Sequence, residues 1–421
     1  MRGTLRRTVA AAFVGMLLVG GLIGLVGWAA TGPAPVESPP RTALRHGDHT
    51  RSVVVAHRAR KYRVYVPRSV DLAAASPVVL AFHGGGGNPD SMIRLSGLNA
   101  SAERHGFVVV YPHGSARFGE RRLTFNAGNV GGYAMNQMID DVAFTRELLD
   151  DLASVLRIDQ DRVFATGMSN GAMMAYRLAS ELSDRIAAIA PVGGPMGTRN
   201  CRPLRPVPVM HFHGTADALA PFRGGFGIRP DGGRGVTDFF SVEHSIAQWV
   251  EANKCNPEPA VQHLPDTARD GMTVVMKSWT GGQSGSEVVL IEIIGGGHTW
   301  PGEPPVADFL GPSTSDISAN EMMWEFFRRH PRRPHAAPAD QPAGNGQSPS
   351  VGTSPRALRT PEVRFRDLPG SPFAPRSAPV SDPRGGTRVI PSIDVGPRDH
   401  DLAVAREPDL KLHLPGNLMG C

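Results

Sequence analysis

Residues 162–182 read RVFATGMSNGAMMAYRLASEL, and they carry the clearest structural signal in the chain. An apolar run, Val163–Thr166, leads into GMSNG at positions 167–171, and an Ala- and Met-rich segment follows. The run is typical of a buried strand and the later segment of a helix, so a sharp turn must join them. Glycines two positions before and after Ser169 let the strand and the helix approach closely. The pattern predicts a nucleophilic serine at the apex; an ordinary Gly-rich strand-to-helix connection is the alternative.

Strands and helices alternate on both sides of this turn. Two strands, Arg51–His57 and Tyr62–Pro67, come first. Apolar runs typical of buried strands follow at Pro77–Phe82, Phe107–Tyr111, Ile186–Val192, Val207–Phe212 and Val288–Ile294. Helices are predicted at Ser91–His105, Asp140–Leu156, Asn170–Leu182, Ala247–Ala252 and Glu321–Arg328. Together with the serine turn, the alternation predicts the α/β-hydrolase fold, a mostly parallel sheet with helices on both faces.

The 421 residues divide into one predicted domain and its flanks. Apolar runs are confined to the central part of the chain, so we expect the α/β-hydrolase catalytic domain at 48–332, preceded by a Pro-containing linker at 31–47. Residues 333–421 are rich in Pro, Arg, Ser and Gly and lack apolar periodicity. Such a segment cannot bury enough surface to offset the entropy of ordering. We therefore predict a single domain with a disordered C-terminal tail.

The N-terminus has the pattern of an export segment. Arg2, Arg6 and Arg7 precede an uncharged apolar stretch at residues 8–30. A basic region followed by an apolar core is typical of a signal peptide, but this stretch is also long enough to span a bilayer. Segment 1–30 is thus either a cleaved signal or a membrane anchor, and both place the protein outside the cytoplasm or in the cell envelope.

Several classes of partner are not expected. The net charge of +5 comes largely from Arg-rich flanks without interleaved aromatic residues, so no nucleic-acid partner is predicted. The glycine run at 84–87 lacks the Lys-Ser/Thr ending and the spacing of nucleotide-binding loops, so no cofactor is predicted. The cysteines and histidines do not show the spacing of metal ligands, so no metal is predicted.

A serine hydroxyl needs a base, and the base needs an acid. In the α/β-hydrolase order the acid follows the serine and the histidine comes last. His298 lies in a Gly-rich loop directly after the strand Val288–Ile294, where its imidazole can reach Ser169. Asp217 follows the strand Val207–Phe212 and is the predicted acid. Asp231 and Asp238 are the rival acids, on a Gly-rich loop.

Backbone amides are predicted to hold the oxyanion of the tetrahedral intermediate. The amide of Asn170, directly after the nucleophile, is the first donor. Gly85 is the predicted second donor and Gly86 the next choice, since glycine lets the bare backbone turn its N–H inward. Trp300 and Phe222 are predicted to border the substrate pocket, although Trp300 has the alternative of packing its own loop.

Cysteine usage fits an exported protein but leaves the redox state open. Cys201 and Cys255 lie inside the predicted domain, whereas Cys421 ends the tail. In an oxidising compartment two thiols can pair, so a Cys201–Cys255 disulfide is one interpretation. A pair of unpaired, buried thiols is the other.

These motifs together resemble the esterase family that contains poly(3-hydroxybutyrate) depolymerases and secreted feruloyl and acetylxylan esterases. The resemblance covers residues 52–328. It rests on ordered segments that match the family's oxyanion loop, elbow, acid segment and histidine loop: Val79–Gly87, Gly106–Pro112, Phe125–Gly128, Asp140–Phe144, Arg162–Gly171, His211–Asp217 and Gly296–Gly302. The resemblance implies carboxylic ester hydrolysis through Ser169, Asp217 and His298.

The chain departs from this family in two places. The family often has a cysteine in the oxyanion loop and another after its Asn-Ala-Gly string; here Gly85 and Asn129 or Val130 stand there. The resemblance supports the Cys201–Cys255 bridge instead. The tail also does not resemble a polymer-adsorbing domain, which disfavours solid polyester as the substrate. Hydroxyalkanoate oligomers, feruloyl esters and acetylated carbohydrates all fit, and a cell-envelope acyltransferase or a non-catalytic binding protein are the alternative functions.

Overall fold

The structure, a computed structural model, describes residues 43–332 apart from 118, 121, 130 and 229–232. The predicted export segment at 1–30, residues 31–42 of the predicted linker and the tail at 333–421 lie outside the described residues. Within the described ranges, no helix combines the length and the hydropathy needed to span a bilayer.

The chain forms strands and helices in alternation. The strands are β1 (Gly47–Val55), β2 (Arg58–Val66), β3 (Ser76–Phe82), β4 (Val108–Pro112), β5 (Ile158–Met168), β6 (Ala188–Val192), β7 (Val209–Gly214), β8 (Gly225–Ile228), β9 (Arg234–Phe239), β10 (Ala260–His263), β11 (Thr273–Trp279) and β12 (Val288–Ile294). The α-helices are α1 (Pro89–Ser96), α2 (Leu98–His105), α3 (Tyr133–Asn136), α4 (Asp141–Ala153), α5 (Asn170–Glu181), α6 (Val242–Asn253) and α7 (Ala319–Arg329).

Ten of these strands form one sheet in the order β1-β2-β4-β3-β5-β6-β7-β12-β11-β10. The six strands from β4 to β12 in that order pair in parallel. Antiparallel strands complete each edge: β1 and β2 on one side, and β11 and β10 on the other. Strands β8 and β9 form a separate two-stranded ribbon. The predicted α/β-hydrolase fold, a mostly parallel sheet, is confirmed.

Helices cover both faces of the sheet because its central strands are apolar on both sides. On one face α4, α5 and α6 pack through residues such as Leu148 and Trp249. On the other face α1, α2 and α7 pack through residues such as Leu98 and Phe327, whose ring stacks on Phe164 at 4.5 Å. Each fully buried side chain of this size contributes roughly 1.5–3 kcal/mol of hydrophobic stabilisation.

One predicted helix is two helices in the structure. The segment predicted as Ser91–His105 contains α1 and α2, separated at Gly97, which adopts a left-handed φ of 59°. A residue in this conformation ends a helix, and glycine adopts it without steric cost. Helix α1 begins at a capping box in which Asn88 and Ser91 each accept a backbone N–H.

The folded part begins earlier than predicted. Leu44, placed in the predicted linker, is buried in the core, and its N–H donates to the Val155 carbonyl oxygen at 2.9 Å. The strands β8 to β11 were not expected from the sequence. The four residues of β10 are all exposed, so β10 has no apolar periodicity to reveal it.

Candidate active site

Ser169 occupies the predicted apex between β5 and α5. Its backbone has φ 56° and ψ −117°, a strained conformation for a residue other than glycine, and its side chain is half-buried. A β-carbon on Gly171 would lie 2.1 Å from the Phe82 carbonyl oxygen, and one on Gly167 would lie 2.6 Å from the same atom. Both glycines are therefore required for α5 to approach β3 and β5. The hydroxyl consequently stands at the positive end of a helix.

The side chain of Asn170 anchors the turn, a role that the sequence did not suggest. It is buried, and its Oδ1 accepts the Phe125 N–H at 2.7 Å while its Nδ2 donates to the Phe125 carbonyl oxygen at 3.0 Å. This pair of hydrogen bonds fixes the residue after Ser169 to a loop that is distant in sequence. The backbone N–H of Asn170 begins α5, where a helix has no internal acceptor for it.

Asp217 and His298 come from the ends of adjacent parallel strands, β7 and β12. The sheet register continues into their loops, since the Ala216 N–H donates to the Gly296 carbonyl oxygen at 2.9 Å. The His298 N–H also donates to the Leu310 carbonyl oxygen at 2.6 Å, which fixes the histidine loop. As a result, His298 Nδ1 donates to Asp217 Oδ2 at 2.6 Å, and both side chains are buried. Because Nδ1 bonds to Asp217, Nε2 is the imidazole nitrogen that remains to act as a base.

The Asp217 carboxylate is held as an anion by several donors. Its Oδ1 accepts the N–H groups of Leu219 and Ala220 at 2.9 and 2.8 Å. Its Oδ2 lies 3.3 Å from His213 Nε2 as well as 2.6 Å from His298. Burial alone would raise the pKa of the Asp217 carboxyl, but the charge of His298 and the hydrogen bonds from His213 and His298 outweigh it and lower this pKa.

Gly193 brings the serine turn and the histidine loop together. It follows Val192, whose carbonyl oxygen accepts the Ser169 N–H at 2.9 Å. A β-carbon on Gly193 would lie 3.3 Å from His298 Nδ1, so the imidazole packs directly against this glycine. Ser169 and His298 thus flank one residue at the carboxyl edge of the sheet. The elements bring the three predicted triad residues to one place.

The predicted second oxyanion donor must be refined. The Gly86 N–H is already used, because it donates to the Leu123 carbonyl oxygen at 2.8 Å, so Gly86 is not an available donor. Gly84 and Gly85 lie against the turn: their added β-carbons would be 3.5 Å from the Ser169 Cβ and 3.6 Å from the Asn170 Cβ. Among the described residues no backbone acceptor is found for the Gly85 N–H, which leaves it free to face an oxyanion.

His83 is a structural residue of the predicted oxyanion loop. It is fully buried, its Nδ1 donates to the Gly84 carbonyl oxygen at 2.8 Å, and its Nε2 accepts the Gly114 N–H at 3.1 Å. Both ring nitrogens are therefore used by the backbone. Burial lowers the pKa of His83 to about 4, so the ring is neutral at pH 7.

Trp300 and Phe222, the two predicted pocket residues, are both buried. Trp300 is 1% exposed, and its indole Nε1 donates to Asn320 Oδ1 at 3.0 Å. It therefore packs the histidine loop onto α7, the alternative noted above. Phe222 is 7% exposed and meets the ring of His213 edge-on at 5.8 Å. Both aromatic rings belong to the hydrophobic core, Phe222 on one face of the sheet and Trp300 on the other.

The disulfide predicted between Cys201 and Cys255 is absent, and both residues are half-buried free thiols. Cys255 Sγ faces the Ser286 carbonyl oxygen at 3.9 Å, whereas burial, with a contribution from Glu251, raises the pKa of Cys201 to about 12. The two sulfurs therefore occupy different local environments. Cys421 lies outside the described residues.

The described part of the chain offers no metal site, because it contains no cluster of three or more His, Cys, Asp or Glu side chains able to hold an ion. Of the two rival acids, Asp238 is exposed on β9, and Asp231 lies outside the described residues. Asp217 is the carboxylate that contacts His298.

A buried ion pair that the sequence motifs did not predict lies close to the Asn170 anchor. Arg60 Nη2 lies 2.6 Å from Asp141 Oδ1, and both side chains are buried. Asp141 Oδ2 also accepts the N–H of Asn126, the neighbour of Phe125, at 2.7 Å. The paired acidic residues at 140–141 were a usable signal, since a carboxylate at a helix start among apolar neighbours needs a partner.

The chain is similar to known esterases. A family model described as Esterase PHB depolymerase matches residues 60–229. NocK of Nocardia uniformis subsp. tsuyamanensis, an esterase by name, is 34% identical over 266 residues, which cover 60% of this chain and 74% of that protein. The bifunctional acetylxylan esterase/xylanase XynS20E of Neocallimastix patriciarum is 26% identical over 63% of this chain and 33% of its own length. Feruloyl esterase B of Piromyces equi is 28% identical over 57% of this chain and 42% of its own length. The chain thus spans less than half of the last two proteins.

Proposed function

Since the chain belongs to the family of PHB depolymerase-type esterases and is a carboxylic ester hydrolase, we propose that it is an exported serine esterase that works through an acyl-enzyme on Ser169. The observation that carries this proposal is the combination of a strained serine at the start of α5 with an Asp217–His298 hydrogen bond of 2.6 Å beside it. A nucleophile, a base and an orienting acid are the parts that acyl transfer requires.

The proposed mechanism has two steps. Ser169 Oγ attacks the ester carbonyl carbon as His298 Nε2 takes its proton, and the N–H groups of Asn170 and Gly85 stabilise the resulting oxyanion. The tetrahedral intermediate collapses, and His298 returns the proton to the departing alcohol. Water then attacks the acyl-enzyme with His298 again as the base, which releases the acid and restores the serine. Asp217 stays ionised throughout and stabilises the imidazolium.

Acyl esters of carbohydrates are the favoured substrate class. The names of two relatives, a feruloyl esterase and an acetylxylan esterase/xylanase, support feruloyl and acetyl esters. Hydroxyalkanoate oligomers remain in the proposal because of the family's description. Rates on p-nitrophenyl acetate, p-nitrophenyl butyrate, methyl ferulate, acetylated xylan and hydroxybutyrate oligomers would rank these classes.

The test of the triad is the Ser169→Ala variant. We expect kcat on p-nitrophenyl acetate to fall by roughly four to six orders of magnitude, as in other triad knockouts. Labelling by a fluorophosphonate probe should be lost with it. Ser278→Ala, on β11 opposite the N-terminal start of β12, is the matched control and should keep both properties. Substantial activity in Ser169→Ala would refute the acyl-enzyme.

Two further parts of the proposal have separate tests. Export is supported by the basic and apolar pattern of segment 1–30, and cell fractionation with and without that segment tests it. Transfer of the acyl group to an envelope acceptor instead of water would use the same triad. Product analysis in the presence of carbohydrate acceptors separates the two, because only a transferase forms a new ester.

A further inference from the structure

A chain of buried hydrogen bonds leads from Asp217 away from His298. Tyr176 Oη lies 3.0 Å from His211 Nδ1, and His211 Nε2 lies 3.0 Å from His213 Nδ1. His213 Nε2 is 2.7 Å from the Ala220 carbonyl oxygen and 3.3 Å from Asp217 Oδ2. Tyr176, His211 and His213 are at most 2% exposed. A polar chain of this length inside the core needs an explanation, because burying polar groups costs free energy unless all are paired.

The alternation of β7 places the two histidines on one face of the sheet. His211 and His213 are two residues apart, so both side chains point toward α5, which carries Tyr176. Phe212 lies between them and packs in the core of the opposite face. The histidine rings stack with their centroids 5.2 Å apart.

With both histidine rings neutral, the hydrogen-bond partners determine which nitrogen of each ring carries the proton. The Ala220 carbonyl oxygen can only accept, so His213 Nε2 must carry a hydrogen. In a neutral ring Nδ1 of His213 is then an acceptor, and His211 Nε2 must donate to it. His211 Nδ1 is left as an acceptor for the Tyr176 hydroxyl. Burial, together with the neighbouring His213, lowers the pKa of His211 well below its usual value, which keeps that ring neutral.

We propose that Tyr176, His211 and His213, here named the relay, are positioning residues for the acid of the triad. The relay holds the proton of His213 on Nε2, where it faces Asp217 Oδ2, the same oxygen that His298 contacts. The carboxylate is thereby kept ionised and aimed at His298 Nδ1. This inference rests on the proposed function, since it assigns the relay to that triad.

The described titratable groups around the relay are few. His211 faces Tyr176 from α5 and His213 on its own strand, and His213 faces Asp217 and, through it, His298 after β12. Tyr176 also has Cys201 nearby. A change in the hydrogen bonds of Asp217 would therefore appear in a pH–rate profile through the protonation of His298.

The test uses His213→Leu, which removes the donor, and His213→Gln, which keeps an N–H at the end of a side chain of similar length. With p-nitrophenyl acetate we expect kcat of His213→Leu to fall about tenfold to about a hundredfold, the usual effect of one hydrogen bond to a charged group, with KM within about twofold. The acidic limb of its pH–rate profile should move to higher pH, because a carboxylate with one donor fewer favours protonated His298 more strongly. His213→Gln should recover most of both changes.

A pair of tyrosine variants provides the control. Tyr176→Phe breaks the far end of the relay and should lower kcat by about twofold to fivefold. Tyr111→Phe also removes a buried phenol hydroxyl, which donates to Asn99 Oδ1 at 2.7 Å on the other face of the sheet, and should leave kcat and the pH profile unchanged.

Three outcomes would overturn the relay. One is a folded His213→Leu with wild-type kcat and pH profile, and another is an equal loss in the Leu and Gln variants that follows their melting temperatures. If His213→Leu does not fold, equal kcat values for Tyr176→Phe and Tyr111→Phe overturn it. Failure of the proposed function looks different, since Ser169→Ala would then stay active whatever the His213 variants do.

Discussion

Replacing Asp141 by alanine should destabilise the protein strongly although Asp141 is not a triad residue. The variant loses two contacts, to Arg60 Nη2 at 2.6 Å and to the Asn126 N–H at 2.7 Å. It also leaves the guanidinium of Arg60, only 5% exposed, without its carboxylate. Breaking a buried ion pair in this way costs about 3–5 kcal/mol of the free energy of unfolding. For a domain of this size that corresponds to a fall in melting temperature of roughly 6–15 °C.

Thermal unfolding by circular dichroism measures this change, and urea unfolding at 25 °C gives the free energy itself. Glu120→Gln is the matched control, because its partner Lys61 and its own side chain are both exposed, and exposed pairs contribute about 1 kcal/mol or less. The double variant Arg60→Met/Asp141→Leu should recover much of the stability, since neither charge is then left buried. A loss below about 1 kcal/mol in Asp141→Ala, or no recovery in the double variant, would refute this account.

Two further substitutions test the packing around the proposed triad. Gly193→Ala should lower kcat about tenfold or more, because the new methyl group would lie 3.3 Å from His298 Nδ1 and displace the ring. Gly285→Ala, also at positive φ but in open space, is the control. Equal kcat values for the two variants would contradict the packing of Gly193 against His298. The pKa of His83 is about 4 in the folded state, below the unfolded value of about 6.5. The neutral ring therefore contributes its full stabilisation above about pH 6.5. About 3 kcal/mol of the free energy of unfolding is lost as the pH falls to about 4. The difference in unfolding free energy between wild type and His83→Asn should therefore narrow on acidification, and a constant difference would contradict the buried neutral ring.

The fold was predictable because its central strands are apolar on both faces and its turns are marked by glycine. The strand Val288–Ile294 was predicted with the bounds that the structure gives it. Strand β10, at the edge of the sheet next to β11, was not predicted because all of its residues are exposed and show no apolar alternation. The break at Gly97 was missed because both helices flanking it have helical spacing, and only the backbone conformation separates them.

Within the site, residues with a chemical signature were predictable and residues that act by packing were not. Ser169, Asp217 and His298 each follow a strand in the order that the fold requires. The available donor in the glycine run depends on one tertiary contact, between the Gly86 N–H and Leu123, that no local pattern encodes. The burial of Trp300 likewise depends on Asn320, which belongs to a helix later in the chain.

Strands β7 and β12 are neighbours in the sheet but are far apart in sequence, so the chain between them can vary in length and sequence. The proposed acid, Asp217, and the proposed base, His298, follow β7 and β12. The residues between them include the ribbon of β8 and β9, helix α6 and the strands β10 and β11. The last residue of β8 lies near Asp217, since the Ile228 N–H donates to the Ala218 carbonyl oxygen at 2.6 Å. The segments between Asp217 and His298 can therefore differ among relatives while the two strands that position these residues stay the same.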